Sequence, residues 1–413
     1  MKKNNAQTLT PRLRFPEFRK EWETVAVGDF FDLTDQAEKT TIFDRDAVLT
    51  VKLHANGVVK NEKTTLTGGA NYFKRKAGQF IFSKIDLLNG AFGIVPNALD
   101  GFSSSSDVPA YSFNAKRSSK FFLNWLKANY ERLKIERTGT SSTLKRVSPE
   151  KFLALAVFVP SHAEQQKIAD CLTSLDELIA AQGWRVEALK AHKKGLMQQL
   201  FPRAGETLPR LRFPEFRDAG EWKSRKIRDL LEKVSQPVDV EANRTYHEIG
   251  IRSHGKGIFH KDPVTGAAIG AKRVFHVVPD AFILNIIFAW EQAVAFTTKN
   301  EAGMIASHRF PMYLPKFSGC DVRFLMLAFL TPTGKHLLGL GSPGGAGRNR
   351  TLGQDEFEKL EVVVPEEDEQ TSIADAVLAA DSVIAAEGDK LAGLKTHKKG
   401  LMQQLFPSPE GMA

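Results

Sequence analysis

The chain is short of most things from which a catalytic or metal site is assembled. Only Cys171 and Cys320 are cysteines among its 413 residues, so neither a disulfide framework nor a thiolate zinc site is available. The ten histidines are scattered, with no metal-spaced pair. No two prolines are adjacent, which removes the Asn/Asp-Pro-Pro-aromatic motif of amino-methyltransferases. Thr333-Gly334-Lys335-His336 lacks the upstream glycine and the hydroxyl residue of a P-loop. GLGSPG at 339–344 has the G-x-G-x-x-G spacing, but it follows a helical stretch and runs into GGAGRNR, not into a helix N-terminus. Glu221-Trp222-Lys223 is a Glu-x-Lys without the preceding Pro-Asp of a nuclease. Apolar runs such as AFILNIIFAW at 281–290 are too short to span a bilayer. The N-terminal MKKNNAQTLTPRLR has charge but no apolar core, so it does not read as a secretory signal. These absences predict a cytoplasmic chain with no catalytic residues and no metal of its own.

What the chain has is itself, twice. EQQKIADCLTSLDELIAAQGWRVEALKAHKKGLMQQLF at 164–201 returns at 369–406 with a constant offset, and PRLRFPEFR at 11–19 returns at 209–217. Apolar residues in the first long stretch fall at alternating four- and three-residue steps: Ile168, Leu172, Leu175, Ile179, Val186, Leu189, Leu196 and Leu200, with Gln182 and Lys193 as polar interruptions. Ile373, Val377, Ala380, Ile384, Leu391, Leu394, Leu401 and Leu405 repeat the register, interrupted at Glu387 and Lys398. A narrow 3.5-residue period predicts two long helices packed as a coiled coil, each roughly 55 Å long at about 1.5 Å per residue.

The rest of the chain is then two variable modules. We expect domains at 11–160 and 203–365, with the helical segments at 161–202 and 366–407. QFIFSKI, GAFGIVP and PAYSF read as strands, 120–134 as one amphipathic helix with its counterpart at 321–340, and LALAVFVP and KLEVVVP as closing strands. The fold class is therefore α+β, each module feeding a long helix. Net charge is +9 overall, with +9 in 1–160, 0 in 161–202, +5 in 203–363 and −5 in 364–413. A basic excess confined to the modules favours a nucleic-acid partner over plain solubility charge.

Aligning the copies isolates candidate contact residues. RTGTSSTLKR at 137–146 and SPGGAGRNR at 342–350 are polar, basic loops at equivalent places, offering Ser141, Ser142, Lys145 and Arg146 in one copy and Arg348, Asn349 and Arg350 in the other. Small residues let the backbone approach a groove wall while Arg and Lys supply charge for bases and phosphates; the alternative is a solvated surface loop. Lys52 and His54 align with Arg252 and His254, in a turn rich in Asn and Gly. Ser83 and Asn285 align after an apolar strand, suited either to base-edge contact or to capping a loop.

The pattern strand-Pro-x-x-x-Glu-Gln-x-x-Ile-Ala-x-x-Leu-x-x-x-Asp-x-x-Ile, present as VPSHAEQQKIADCLTSLDELI and VPEEDEQTSIADAVLAADSVI, resembles the specificity subunit of Type I restriction-modification systems. So does the helix end HKKGLMQQLF at 192–201 and 397–406, and FILNIIFAWEQAVAF and ASHRFPMYL look like the family's second-domain strands. The resemblance implies a non-catalytic chain whose two target-recognition domains each read half of a bipartite double-stranded DNA sequence. Lys84, standing where the family often has arginine, and Arg309 join the expected DNA-contacting set. The resemblance further implies helices packed antiparallel as a spacer through Ile168, Leu172, Leu175, Ile179, Leu189, Leu196, Val377, Ile384, Leu391 and Leu401. Two modification (methyltransferase) subunits would dock on them, and restriction (translocase/nuclease) subunits would complete the complex. S-adenosylmethionine, ATP and Mg²⁺ would belong to those partners. A coiled-coil scaffold or regulator without sequence-specific DNA binding is the competing reading.

Overall fold

The 3.5-residue seam is realised as two uninterrupted helices, His162–Leu200 and Glu367–Leu405. The computed structural model describes residues 11–35, 38–40, 44–62, 71–139, 145–316, 319–344 and 350–406. Every seam position is buried or half-buried, the polar interruptions Gln182, Lys193, Glu387 and Lys398 included. By compactness the chain divides inside both helices, into one unit of Met1–Gly183 with Asp389–Ala413 and another of Trp184–Gly388.

Within the first unit, the start of one helix runs antiparallel to the end of the other. Ile168 and Leu172 share an apolar cluster with Leu405 and Phe406, and Lys398 forms an ion pair with Asp176. The second unit repeats this with the roles exchanged: Leu200 and Phe201 cluster with Ile373 and Val377, Lys193 bonds both Asp381 carboxylate oxygens at 2.6 Å, and Arg185 pairs with Glu387 at 2.9 Å. The seam lysines thus extend past the apolar stripe to a carboxylate on the facing helix, which is how a narrow seam tolerates them.

Each unit carries a four-stranded antiparallel sheet. In the first its order is Phe31–Asp32, Ala110–Phe113, Phe80–Phe82, Phe92–Ile94; in the second Leu231–Val234, Met312–Pro315, Phe282–Leu284, Val294–Phe296. The closing strands Ala156–Val159 and Glu361–Val364 pair antiparallel with Glu23–Ala26 and Lys223–Lys226. The sheet core is aromatic in both: Phe80 stacks on Phe152 at 6.1 Å, and Phe282 on Phe357 at 5.8 Å. Ser119–Asn129 is the amphipathic helix of the first unit, capped by Ser118 Oγ accepting from Phe121 N–H.

Its counterpart departs from the expectation of one helical segment. The second unit has two helices, Val322–Leu330 and Pro332–Leu340. Pro332 has no N–H to continue the first and restricts Thr331, whose backbone is extended (φ −72°, ψ 163°). Thr331 Oγ1 instead donates to the Ala328 carbonyl and accepts from Gly334 N–H, closing one helix and opening the next.

The short repeat PRLRFPEFR is a clasp between helix ends. In the first unit Arg14 makes two bonds of 2.8 Å to Glu164 at the start of one helix, and Leu13 N–H donates to the Gln404 carbonyl near the end of the other. In the second, Arg212 makes two of 2.7 Å to Glu369 while Leu211 N–H donates to the Gln199 carbonyl. The neighbouring glutamines, Gln165 and Gln370, are fully buried. Their side-chain amides donate to the Pro160 and Pro365 carbonyls and accept from Ser118 and Asp321 N–H, tying each long helix to the shorter helix beside it. The Glu-Gln pair shared by both copies is a structural anchor, with no side chain left over for a ligand.

Candidate nucleic-acid interface

The residues singled out by aligning the copies come from four separate segments, and backbone hydrogen bonds knit those segments together at one rim of each unit. In the first, Val147 N–H donates to the Lys84 carbonyl, Lys84 N–H to the Asp107 carbonyl, and His54 and Ala55 N–H to the Asn89 and Gly90 carbonyls. In the second, Leu352 N–H donates to Ile286, Ile286 N–H to Arg309, and His254 and Gly255 N–H to Glu291 and Gln292. Lys52, His54 and Lys145 on one rim, and Arg252, His254, Arg309 and Arg350 on the other, are exposed. Ser141, Ser142, Arg348 and Asn349 lie outside the described residues.

The turn carrying the histidines is held in an uncommon conformation. His54 and His254 have φ of 56° and 61°, followed by Ala55 at 57° and Gly255 at 65°. A side chain in this left-handed region costs about 1 kcal/mol or more and persists only when its surroundings enforce it. Here enforcement comes from the two backbone bonds to the neighbouring loop. In the first unit a Cβ on Gly90 would lie 2.7 Å from Ala55 N, whereas the second makes the same bond to Gln292, itself at φ 60°, with Gly255 in place of Ala55. The same left-handed backbone, with His at the same place, recurs in both copies.

Several expected contact residues are already engaged. Ser83 Oγ accepts from Asp86 N–H at 3.2 Å and Asn285 Oδ1 from Ile287 N–H at 3.0 Å, so both cap their own loops; Asn285 is also buried. Arg146 bonds both carboxylate oxygens of Asp107 at 3.0 and 2.9 Å. That hydrogen bonding holds the Asp107 carboxyl below the usual carboxylate range and raises the Arg146 guanidinium, with burial opposing each shift. Asp107 was not legible as a site residue; its sequence carries no signal beyond lying between strands. Its loop is braced by Arg75, buried beneath it, which donates to Ser104 Oγ at 2.7 Å and to the Val108 carbonyl at 3.1 Å. Burial lowers the Arg75 guanidinium to about 10, still protonated at neutral pH.

Among the described residues no group of His, Cys, Asp or Glu is placed to hold a metal, and no helix is long and apolar enough to cross a membrane. Each unit thus carries a rim with exposed basic side chains, and comparison with known proteins shows what the chain is similar to. Residues 19–190 match the Type I restriction modification DNA specificity domain. The Type I restriction enzyme MjaVIII specificity subunit of Methanocaldococcus jannaschii is 26% identical over 208 residues, which are 46% of this chain and 43% of that one. The match thus spans less than half of that relative. A crystal structure of a Type I restriction-modification S subunit from M. genitalium superposes with a TM-score of 0.55 at 14% identity, covering 97% of this chain and 99% of its own. A chain from a structure describing complex assembly and conformational transition of the type I R-M system gives 0.55 at 11% identity, covering 95% and 99%. The chain is thus similar over residues 19–190 to the Type I restriction modification DNA specificity domain, and along nearly its whole length it has the fold of the M. genitalium S subunit.

Proposed function

We propose that each unit binds one half of a bipartite double-stranded DNA target through its rim. Lys52, His54, Lys84, Lys145 and Arg146 serve one half, and Arg252, His254, Arg309 and Arg350 the other. The paired helices set the unread gap and dock two modification subunits, which restriction subunits join; S-adenosylmethionine, ATP and Mg²⁺ act on those partners. The observation that carries the reading is the convergence, in both units, of basic side chains from sequence-distant loops onto one rim built around a strained His turn. Ser83 and Asn285, engaged as loop caps, act by shaping the rim.

Selection from a random duplex pool by the full chain, alone and with a modification subunit, tests the proposal at moderate salt. Enrichment of a gapped two-part motif supports it. Binding without any enriched motif at either composition would leave the scaffold reading in its place.

A further inference from the structure

The two rims differ in a correlated way. Lys52 of the first aligns with Arg252 of the second, and Lys145 with Arg350, the latter through the matching bonds of Val147 and Leu352. Each arginine has an aromatic ring beneath it where the first unit has an aliphatic side chain. Arg252 lies 4.8 Å from the centroid of Phe259, which occupies the strand position of Val59. Arg350 lies 5.6 Å from the centroid of Trp290, which occupies the turn position of Leu88. The backbone has adjusted as well. Phe259 lies against Gly250, where a Cβ would be 2.4 Å from the ring, and the first unit has Thr50 at that place. Trp290 is itself fixed, its indole N–H donating to the Ile287 carbonyl at 3.2 Å.

Two lysine-to-arginine changes, each with its own aliphatic-to-aromatic change, call for a common physical reason. An ammonium on a flexible stem gains little from a ring and serves as a point charge for phosphate. A guanidinium laid on an aromatic face is held in one plane with its fork of donors directed outward. That geometry suits bidentate donation to O6 and N7 of guanine, the commonest base-specific contact in the major groove. Resting on the DNA-binding reading above, we propose that Arg252 and Arg350 are guanine-reading residues of the second unit, with Phe259 and Trp290 as their positioning residues. The half-site read by this unit contains G·C pairs at two positions, whereas Lys52 and Lys145 of the first unit contact phosphates.

The same duplex-pool selection, run with Arg350→Lys, Arg252→Lys, Trp290→Leu and Phe259→Val in the full chain, tests this. The last two install residues that the first unit carries at equivalent places. Wild type should enrich a two-part motif with guanine at two positions of one half. Each Arg→Lys should lower discrimination at one of them by about tenfold or more, leaving the other half and the salt dependence unchanged because charge is retained. Trp290→Leu should weaken the position lost in Arg350→Lys, yet add nothing in the Arg350→Lys background; a merely structural role would shift preference in both. A two-part motif whose second half keeps its bases within twofold in both lysine variants overturns the guanine assignment alone. No enriched motif from wild type overturns the underlying DNA reading instead.

Discussion

Removing Arg212 should show that the repeated PRLRFPEFR segment is an anchor. In Arg212→Ala, Glu369, whose side chain is 2% exposed, loses both of its 2.7 Å partners. Stranding one member of a buried ion pair costs about 3–5 kcal/mol. A cleft of about 130 Å³ bordered by Arg212, Lys223 and Glu369 gives water a route to the carboxylate, so the low end, about 3 kcal/mol, applies. For a unit of this size that is a fall of about 6–12 °C in melting temperature. Arg212→Leu with Glu369→Leu removes the charge problem along with the attraction and should recover much of the loss, giving a coupling energy above about 1.5 kcal/mol in a double-mutant cycle. Denaturant unfolding at two salt concentrations is the assay. If Arg212→Ala cost under about 1 kcal/mol, or the two substitutions simply added, the pair would be an ordinary surface contact.

Asp107→Asn should remove a carboxylate from the rim and tighten DNA binding, most at low salt; an unchanged affinity at low salt would place the Asp107–Arg146 pair away from DNA. His54→Gly and His254→Gly should each stabilise the protein by up to about 1 kcal/mol by removing a side chain from left-handed backbone, while weakening DNA binding; unfolding and binding titrations on the same variants separate the two effects. Gly183→Ala and Gly388→Ala sit in helix interiors where nothing lies within 4 Å of an added Cβ, and each should add about 0.5–1 kcal/mol by helix propensity, read from thermal unfolding.

The long helices were legible because one period persists over their whole length, and the seam lysines could be recognised as interruptions, though not as partners of Asp381 and Asp176. Aligning the copies located the rim because both keep the same loop order. What stayed hidden depends on contacts between distant segments. Arg146 looks free in sequence, yet its partner Asp107 is 39 residues away. The pairings of Arg252 with Phe259 and Arg350 with Trp290 likewise appear only once the loops are side by side. The break at Thr331 was signalled by Pro332, but apolar runs on both sides made the segment read as continuous.

The division of the chain inside its two helices has a consequence for how it is made. Trp184–Gly388 is one contiguous stretch, so this unit has all its own residues as soon as the second helix is half synthesised. The other is not. Phe121 packs against Phe406 at 5.5 Å, and Leu405 and Phe406 fill an apolar core begun by Trp22 and Val27. The residues of this unit that precede Trp184 therefore wait, with aromatic surface uncovered, until Leu405 and Phe406 have been made. Domains generally fold in order of synthesis; here the order of completion is reversed, and the interval of exposure grows with every pause in translating the second half.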